Sequence, residues 1–268
     1  RLGPMGIKSM LLAKEGITAD IDKLRARGQY DLDENLAKLR AVCDEYASGL
    51  SIAHCIKRSK ASKPYPNAVA ALRRDMPRLR AFIRKTELIT MPPMAAVEVK
   101  QTPNHRRRYQ AFLETTGSGS DSSAIFYVSL PDPTWPEKKR FDYIQSRSDL
   151  IINAAHEVWP GHYLHDQIAS TSLSDIAKIF DGYALREGWA TYAEELILDY
   201  GYENDDPELR IAQLAKALAR DVRLLVAIDL HTSNLPVKDA ATMFEQYAYL
   251  SPTYALKEAQ RGIYDPEY

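Results

Sequence analysis

The chain of 268 residues has a formal net charge of −1, with 45% hydrophobic and 26% charged side chains. That balance is ordinary for a soluble globular protein and gives no electrostatic case for nucleic acid or an anionic membrane as partner. No apolar run approaches the ~20 residues of a membrane span, and two cysteines, Cys43 and Cys55, allow one bridge or none, which leaves the compartment open.

The chain opens on Arg1-Leu2-Gly3-Pro4, neither a signal peptide nor a natural Met start, so a fragment of a longer chain is expected. Residues 5–50 have helical character, with a turn at Gly16 and an N-cap at Thr18 or Asp20. Leu32, Leu36, Leu39, Val42 and Tyr46 recur at helical spacing between charges. Lys57–Lys63, followed by Pro64 and Pro66, suggests a loop. Residues 67–87 form another helical pattern, which Pro77 is placed to kink, and its arginines at 73, 74, 78, 80 and 84 are expected to form a solvated face.

A change follows near residue 90. Val97–Lys100 alternates as a short strand, and Thr115–Ser123 is a Gly/Ser-rich loop. Ala124–Leu130 is the strongest strand signal, β-branched and aromatic and stopped by Pro131. It is expected either as an edge for an extended peptide or as a plain structural strand. Asn104–Arg108 is expected as a solvated basic loop, and His54 also lies in a polar stretch.

Ser148–Ala155 leads as a helix into His156-Glu157-Val158-Trp159-Pro160-Gly161-His162. The zinc-peptidase signature H-E-x-x-H sets two histidines at i and i+4 on one helix face with Glu as base. Here the second histidine arrives at i+6, which a regular helix would rotate roughly 240° from the first. Both reach one metal only if the helix breaks. Pro160 lacks an N–H and Gly161 tolerates φ > 0, so an interruption is expected at Trp159–Gly161, with Trp159 packed to fix it. His165 is expected as a surface or supporting residue.

Helices are also expected over Ser174–Tyr183, Leu185–Tyr200, 207–231, 236–250 and Pro252–Gly262. A catalytic zinc takes three protein ligands and leaves one position for water. Glu187 is the candidate third ligand, and Glu194, seven residues on, shares its helix face. A carboxylate-bridged di-iron bundle needs Glu-x-x-His pairs, which Glu187 and Glu194 lack. The expected fold is mainly α with a small β element beside a cleft. It is one domain over 1–268, with a helical N-terminal part at 1–90 and a metal-site part at 91–268.

His156-Glu157-Val158-Trp159-Pro160-Gly161-His162-Tyr163-Leu164 resembles the H-E-x-x-P-G-H-x-L hallmark of the family catalogued as domain of unknown function 885. Glu187-Gly188-Trp189-Ala190-Thr191-Tyr192-Ala193-Glu194 resembles its E-G-W-A-x-Y-A-E motif. Arg223, His231-Thr232 and Glu258–Arg261 are similar to its softer R…H-T and E-x-x-R elements, and the likeness covers roughly residues 70–268. Family members run on beyond the equivalent of Tyr268 into a further helix, so an incomplete site is a consideration here.

The resemblance implies a gluzincin-type architecture and a zinc-dependent peptidase. One Zn²⁺ would be held by His156, His162 and Glu187, with Glu157 as general base, Glu194 orienting a ligand and a peptide as substrate. His231, Arg261 and Tyr254 are the candidate donors to an oxyanion. A zinc hydrolase of a non-peptide amide or ester, and a non-catalytic metal-binding helical module, are the alternatives.

Overall fold

The computed structural model describes residues 1–107, 111–116, 123–172, 174, 176 and 182–266. The chain forms two compact units: Arg1–Ile56 with Gln213–Tyr268, and Lys57–Ala212. The described residues are mainly helical with one three-stranded sheet.

In the first unit, α1 (Gly3–Glu15) ends on Gly16 in the left-handed region (φ 67°), which glycine occupies at no steric cost. Asp20 accepts from the Lys23 N–H and caps α2 (Ile21–Tyr46). α2 buries Gly28, Leu32, Leu39 and Cys43. Gly28 faces the second half of α9 (Pro207–Thr232), where a Cβ on it would fall 2.9 Å from the Leu224 side chain. Arg25 grips Asp229 through two hydrogen bonds of 2.9 and 3.0 Å. α10 (Val237–Tyr247) and α11 (Pro252–Tyr264) pack as a pair, and Arg223 reaches Glu258 at 2.9 Å. Cys43 and Cys55 form a disulfide across the turn between α2 and α3 (Ile52–Ser59). That helix extends through Lys57–Ser59, where the basic composition suggests a loop; helical continuity from Ile52 prevails over local polarity.

The second unit is built around one core. α4 (Ala68–Lys85) runs through Pro77 as a single helix and contributes Val69, Leu72, Met76, Leu79 and Ile83. β1 (Val97–Gln101) pairs parallel with β3 (Ser123–Val128), and β2 (Ala111–Thr116) pairs antiparallel with β3 on its other side. β3 is therefore the central strand. The expectation that it offers an edge fails, because both its flanks carry a partner. Its period-2 pattern buries Ala124, Phe126 and Val128 on one face, and on the other Tyr127 stacks on Phe112 at 5.0 Å. Residue 90, where the composition changes, lies inside this unit.

After the short α5 (Glu137–Tyr143) comes α6 (Arg147–Glu157), the helix carrying His156. Ser146 caps it by accepting from the Asp149 N–H. Arg147 clamps its first turn, bonding Asp75 of α4 at 3.1 Å and Glu203 at 2.8 and 2.9 Å. Leu150, Ile151, Ile152, Ala154 and Ala155 bury its apolar face. α7 (His162–Ser172) follows the break, and α8 (Tyr183–Asp199) packs against both α6 and α7. Most of the expected helix at Ser174–Tyr183 lies outside the described residues.

Closing a 12-residue separation, the Cys43–Cys55 bridge is expected to contribute about 3 kcal/mol by restricting the unfolded chain. Denaturant titration of the protein against Cys43→Ala/Cys55→Ala should read a loss of that size. In the same unit burial raises the Asp221 carboxyl to about 6, while the Asn35 amide, 2.8 Å away, opposes the shift. A carboxyl raised on folding stabilises the protonated form, so its contribution is full below the unfolded value near ~3.9 and is lost as pH rises through about 6. Asp221→Asn should flatten the melting temperature between pH 4 and 7 and raise it at pH 7.

Candidate metal centre

Helix α6 stops at Glu157, and α7 begins at His162. Between them the hydrogen bonds leave the i→i−4 pattern. After the last regular bond, from Val158 to the Ala154 carbonyl, Trp159 donates to that same carbonyl, Gly161 donates to Ala155 at 2.9 Å, and Leu164 donates to Val158 at 3.4 Å. The expected interruption is thus present, and it includes Val158 (φ −126°, ψ −72°). Gly161 is required for a reason other than positive φ. A Cβ there would fall on the backbone carbonyl carbon and oxygen of His156, so the returning chain lies directly against the end of α6.

Trp159 is buried in this break, edge-on to Tyr163 with ring centroids 5.2 Å apart and beneath the Arg80 guanidinium at 5.1 Å. Trp189 of α8 donates its Nε1–H to the Pro160 carbonyl at 2.9 Å. In the sequence, the place of Trp189 two residues after Glu187 is the one signal for contact with the same break.

This geometry brings the two imidazoles together, 4.8 Å between centroids and nearly perpendicular. Glu187 faces both. Its carboxylate oxygens lie 3.5 Å from His156 Nε2 and 3.4 Å from His162 Nε2, and the three residues offer ligand atoms within 4.8 Å of one another. Two bonds of ~2.0–2.1 Å at a tetrahedral angle separate ligand atoms by about 3.4 Å, so the donor set and spacing fit a small transition-metal dication. Burial works to raise the Glu187 carboxyl. The hydrogen bonds and charges of His156 and His162 outweigh it and hold the group well below the ordinary carboxylate range. An ionised carboxylate between two ring nitrogens is the form a metal ligand needs.

Glu194, one helical face further along α8 and fully buried, sets Oε1 2.8 Å from His156 Nδ1. A carboxylate there favours a proton on Nδ1, which would leave Nε2 as the ligand atom once a metal replaced its proton. Glu157 is held by the backbone N–H of Leu113 in β2, the edge strand beside α6. Burial pushes its carboxyl above the ordinary range, and the Glu187 charge adds to that. His156, His162 and the Leu113 N–H work the other way.

The remaining sequence candidates have surroundings of their own. His165 is outside the cluster among the described residues, with Nδ1 buried and without a hydrogen-bond partner. His231, Arg261 and Tyr254 belong to the first unit. There His231 Nδ1 accepts from the Leu2 N–H at 3.1 Å, so Nε2 carries the proton and donates to the Gly262 carbonyl at 2.9 Å. Both ring nitrogens of His231 are thus engaged within the first unit. Arg261 approaches Asp265 at 3.7 Å, and Tyr254 is exposed beside Lys257.

Fold and site define a mainly helical protein in which a broken helix and its neighbour present a His-His-Glu cluster. The family model described as "Bacterial protein of unknown function (DUF885)" matches residues 8–268, and the chain belongs to that family. Two solved structures have the same fold. One is titled "The structure of a putative lipoprotein of unknown function from Shewanella oneidensis", with TM-score 0.84, 20% identity, and coverage of 98% of this chain and 50% of that one. The other is a "putative lipoprotein from Colwellia psychrerythraea", with TM-score 0.76, 19% identity and coverage of 98% and 46%. The chain thus spans about half the length of these structures. No curated protein matches it.

The close approach at Gly161 gives a direct test. Gly161→Ala should destabilise the protein by about 3 kcal/mol or more, because the clash is with backbone and cannot be relieved by a rotamer change. Thermal and denaturant unfolding would show it.

Proposed function

We propose that the chain carries a zinc-dependent peptidase site of gluzincin type, with His156, His162 and Glu187 as ligands and Glu157 as general base. The observation that carries it is the convergence of both Nε2 atoms on the Glu187 carboxylate, with a further desolvated carboxylate at the adjoining position 157. Bound zinc would supply a Lewis acid that brings the pKa of water toward ~7 and polarises a scissile carbonyl. Glu157 takes the proton of the attacking water and returns it to the leaving amine. Its raised carboxyl suits the interval in which it must hold that proton. Glu194 fixes the tautomer of His156. The outer edge of β2, not β3, is the place for an extended peptide to pair, and the Leu113 N–H binds the base to that same edge. A buried disulfide and the lipoprotein titles of the two similar structures support an oxidising, extracytoplasmic setting. Among the described residues no helix is long and apolar enough to cross a membrane.

Metal analysis and a peptide-library digest test this together. One zinc per chain is expected, lost in His156→Ala and in Glu187→Ala. Glu157→Gln should retain the metal and lose about 10²-fold or more in kcat/KM. Because the base acts deprotonated, activity should fall as pH drops through the Glu157 pKa, with the acid limb above the ordinary ~4.3 of a free glutamate. Full zinc occupancy in Glu187→Ala would refute the ligand set. Inert peptides alongside a cleaved simple amide or ester would move the reading to a non-peptide hydrolase.

A further inference from the structure

The arginines of α4 do not all face open solvent. Arg73, Arg80 and Arg84 line a cleft of about 440 Å³ between α4 and β1, whose apolar floor includes Val97 and the indole of Trp159. Arg73 is accounted for by its Nε bond to the Val99 carbonyl at 3.0 Å. Arg80 is not. Its guanidinium lies over Trp159, one Nη reaches only the Met94 carbonyl at 3.4 Å, and its Nε is buried without a hydrogen-bond partner.

Arg84 is near enough for its charge to act on Arg80, and among the described residues neither is in an ion pair with a carboxylate. The carboxylate lining the cleft, Glu98, is paired with Lys100 at 2.7 Å. A partly buried guanidinium beside a second one, with no counter-charge, is costly for the free protein. Burial, first, and the charge of Arg84, second, both push against the charged form of Arg80. A planar fork of N–H donors beside an indole suits an oxyanion attached to an apolar body.

We infer that the cleft between α4 and β1 is a binding site for a small organic acid, its carboxylate or phosphate head taken by Arg80 and Arg84 and its apolar body laid on Trp159 and Val97. This does not depend on the metal reading. Glu98 stands in the same cleft and limits the charge it accepts, which favours a single small head over a polyanion. Trp159 belongs to the break that places His162, so the site touches the element that carries the cluster.

Calorimetric titration of the intact protein with 3-phenylpropanoate, phenyl phosphate and the neutral amide 3-phenylpropanamide tests this. Saturable binding of at least one acid is expected, with the amide at least tenfold weaker, and the tighter acid assigns the head group. Arg84→Gln, exposed and harmless to packing, and Arg80→Lys, which keeps charge but loses the fork, should each weaken the acid by about tenfold. The Arg80 Nε–H resonance should shift on titration. Equal binding of acid and amide, unchanged affinity in both variants, or no saturable binding of either acid by the wild type would each overturn the proposal.

Discussion

The contact between Gly161 and the carbonyl end of α6 decides most of what surrounds it. An α-helix cannot present residues six apart to one point, and this chain resolves the conflict by ending one helix and starting the next within four residues. The turn is so close that no side chain fits at position 161. Everything around the break holds that geometry. Trp159 fills the space beneath it, Tyr163 packs against Trp159, and the Pro160 carbonyl, freed from helical bonding, is taken up by Trp189. The cluster of His156, His162 and Glu187 follows from this backbone arrangement, not from the spacing of histidines on a helix.

Much of this was legible in the sequence. The i+6 spacing with Pro160 and Gly161 between required an interruption, and the periodicity of the chain's long stretches located most helices within a few residues. The place of Glu187 beside the two histidines was accessible because the expectation of a metal called for a third donor and the following helix carried one. The interior reason for Gly161 was not legible, since a close approach between backbones leaves no mark beyond the glycine itself. The β2 strand also escaped notice. Ala111–Thr116 is short, follows a run of arginines and has no clean alternation, and its partner supplies the stability its own residues do not announce. Without it, the sequence left open whether Ala124–Leu130 is an edge or an inner strand.

His231 has a packing role that its motif did not announce. A histidine at the end of a long helix, next to a threonine, suggested a donor for chemistry. Both its nitrogens are engaged, with Leu2 and with Gly262, and it joins the start of α1 to α11 within the first unit. A buried polar ring with both nitrogens satisfied is what stable packing requires.

The hydrogen bond from Trp189 to Pro160 has a mechanical meaning. Glu187 and Trp189 are two residues apart on α8, so they leave its axis about 200° from each other. One reaches the two imidazoles and the other the break between them. Two anchors at different azimuths fix the roll of a helix as well as its position. α8 cannot turn about its own axis to withdraw Glu187 without also pulling Trp189 off Pro160, so the carboxylate and the backbone break move as one body.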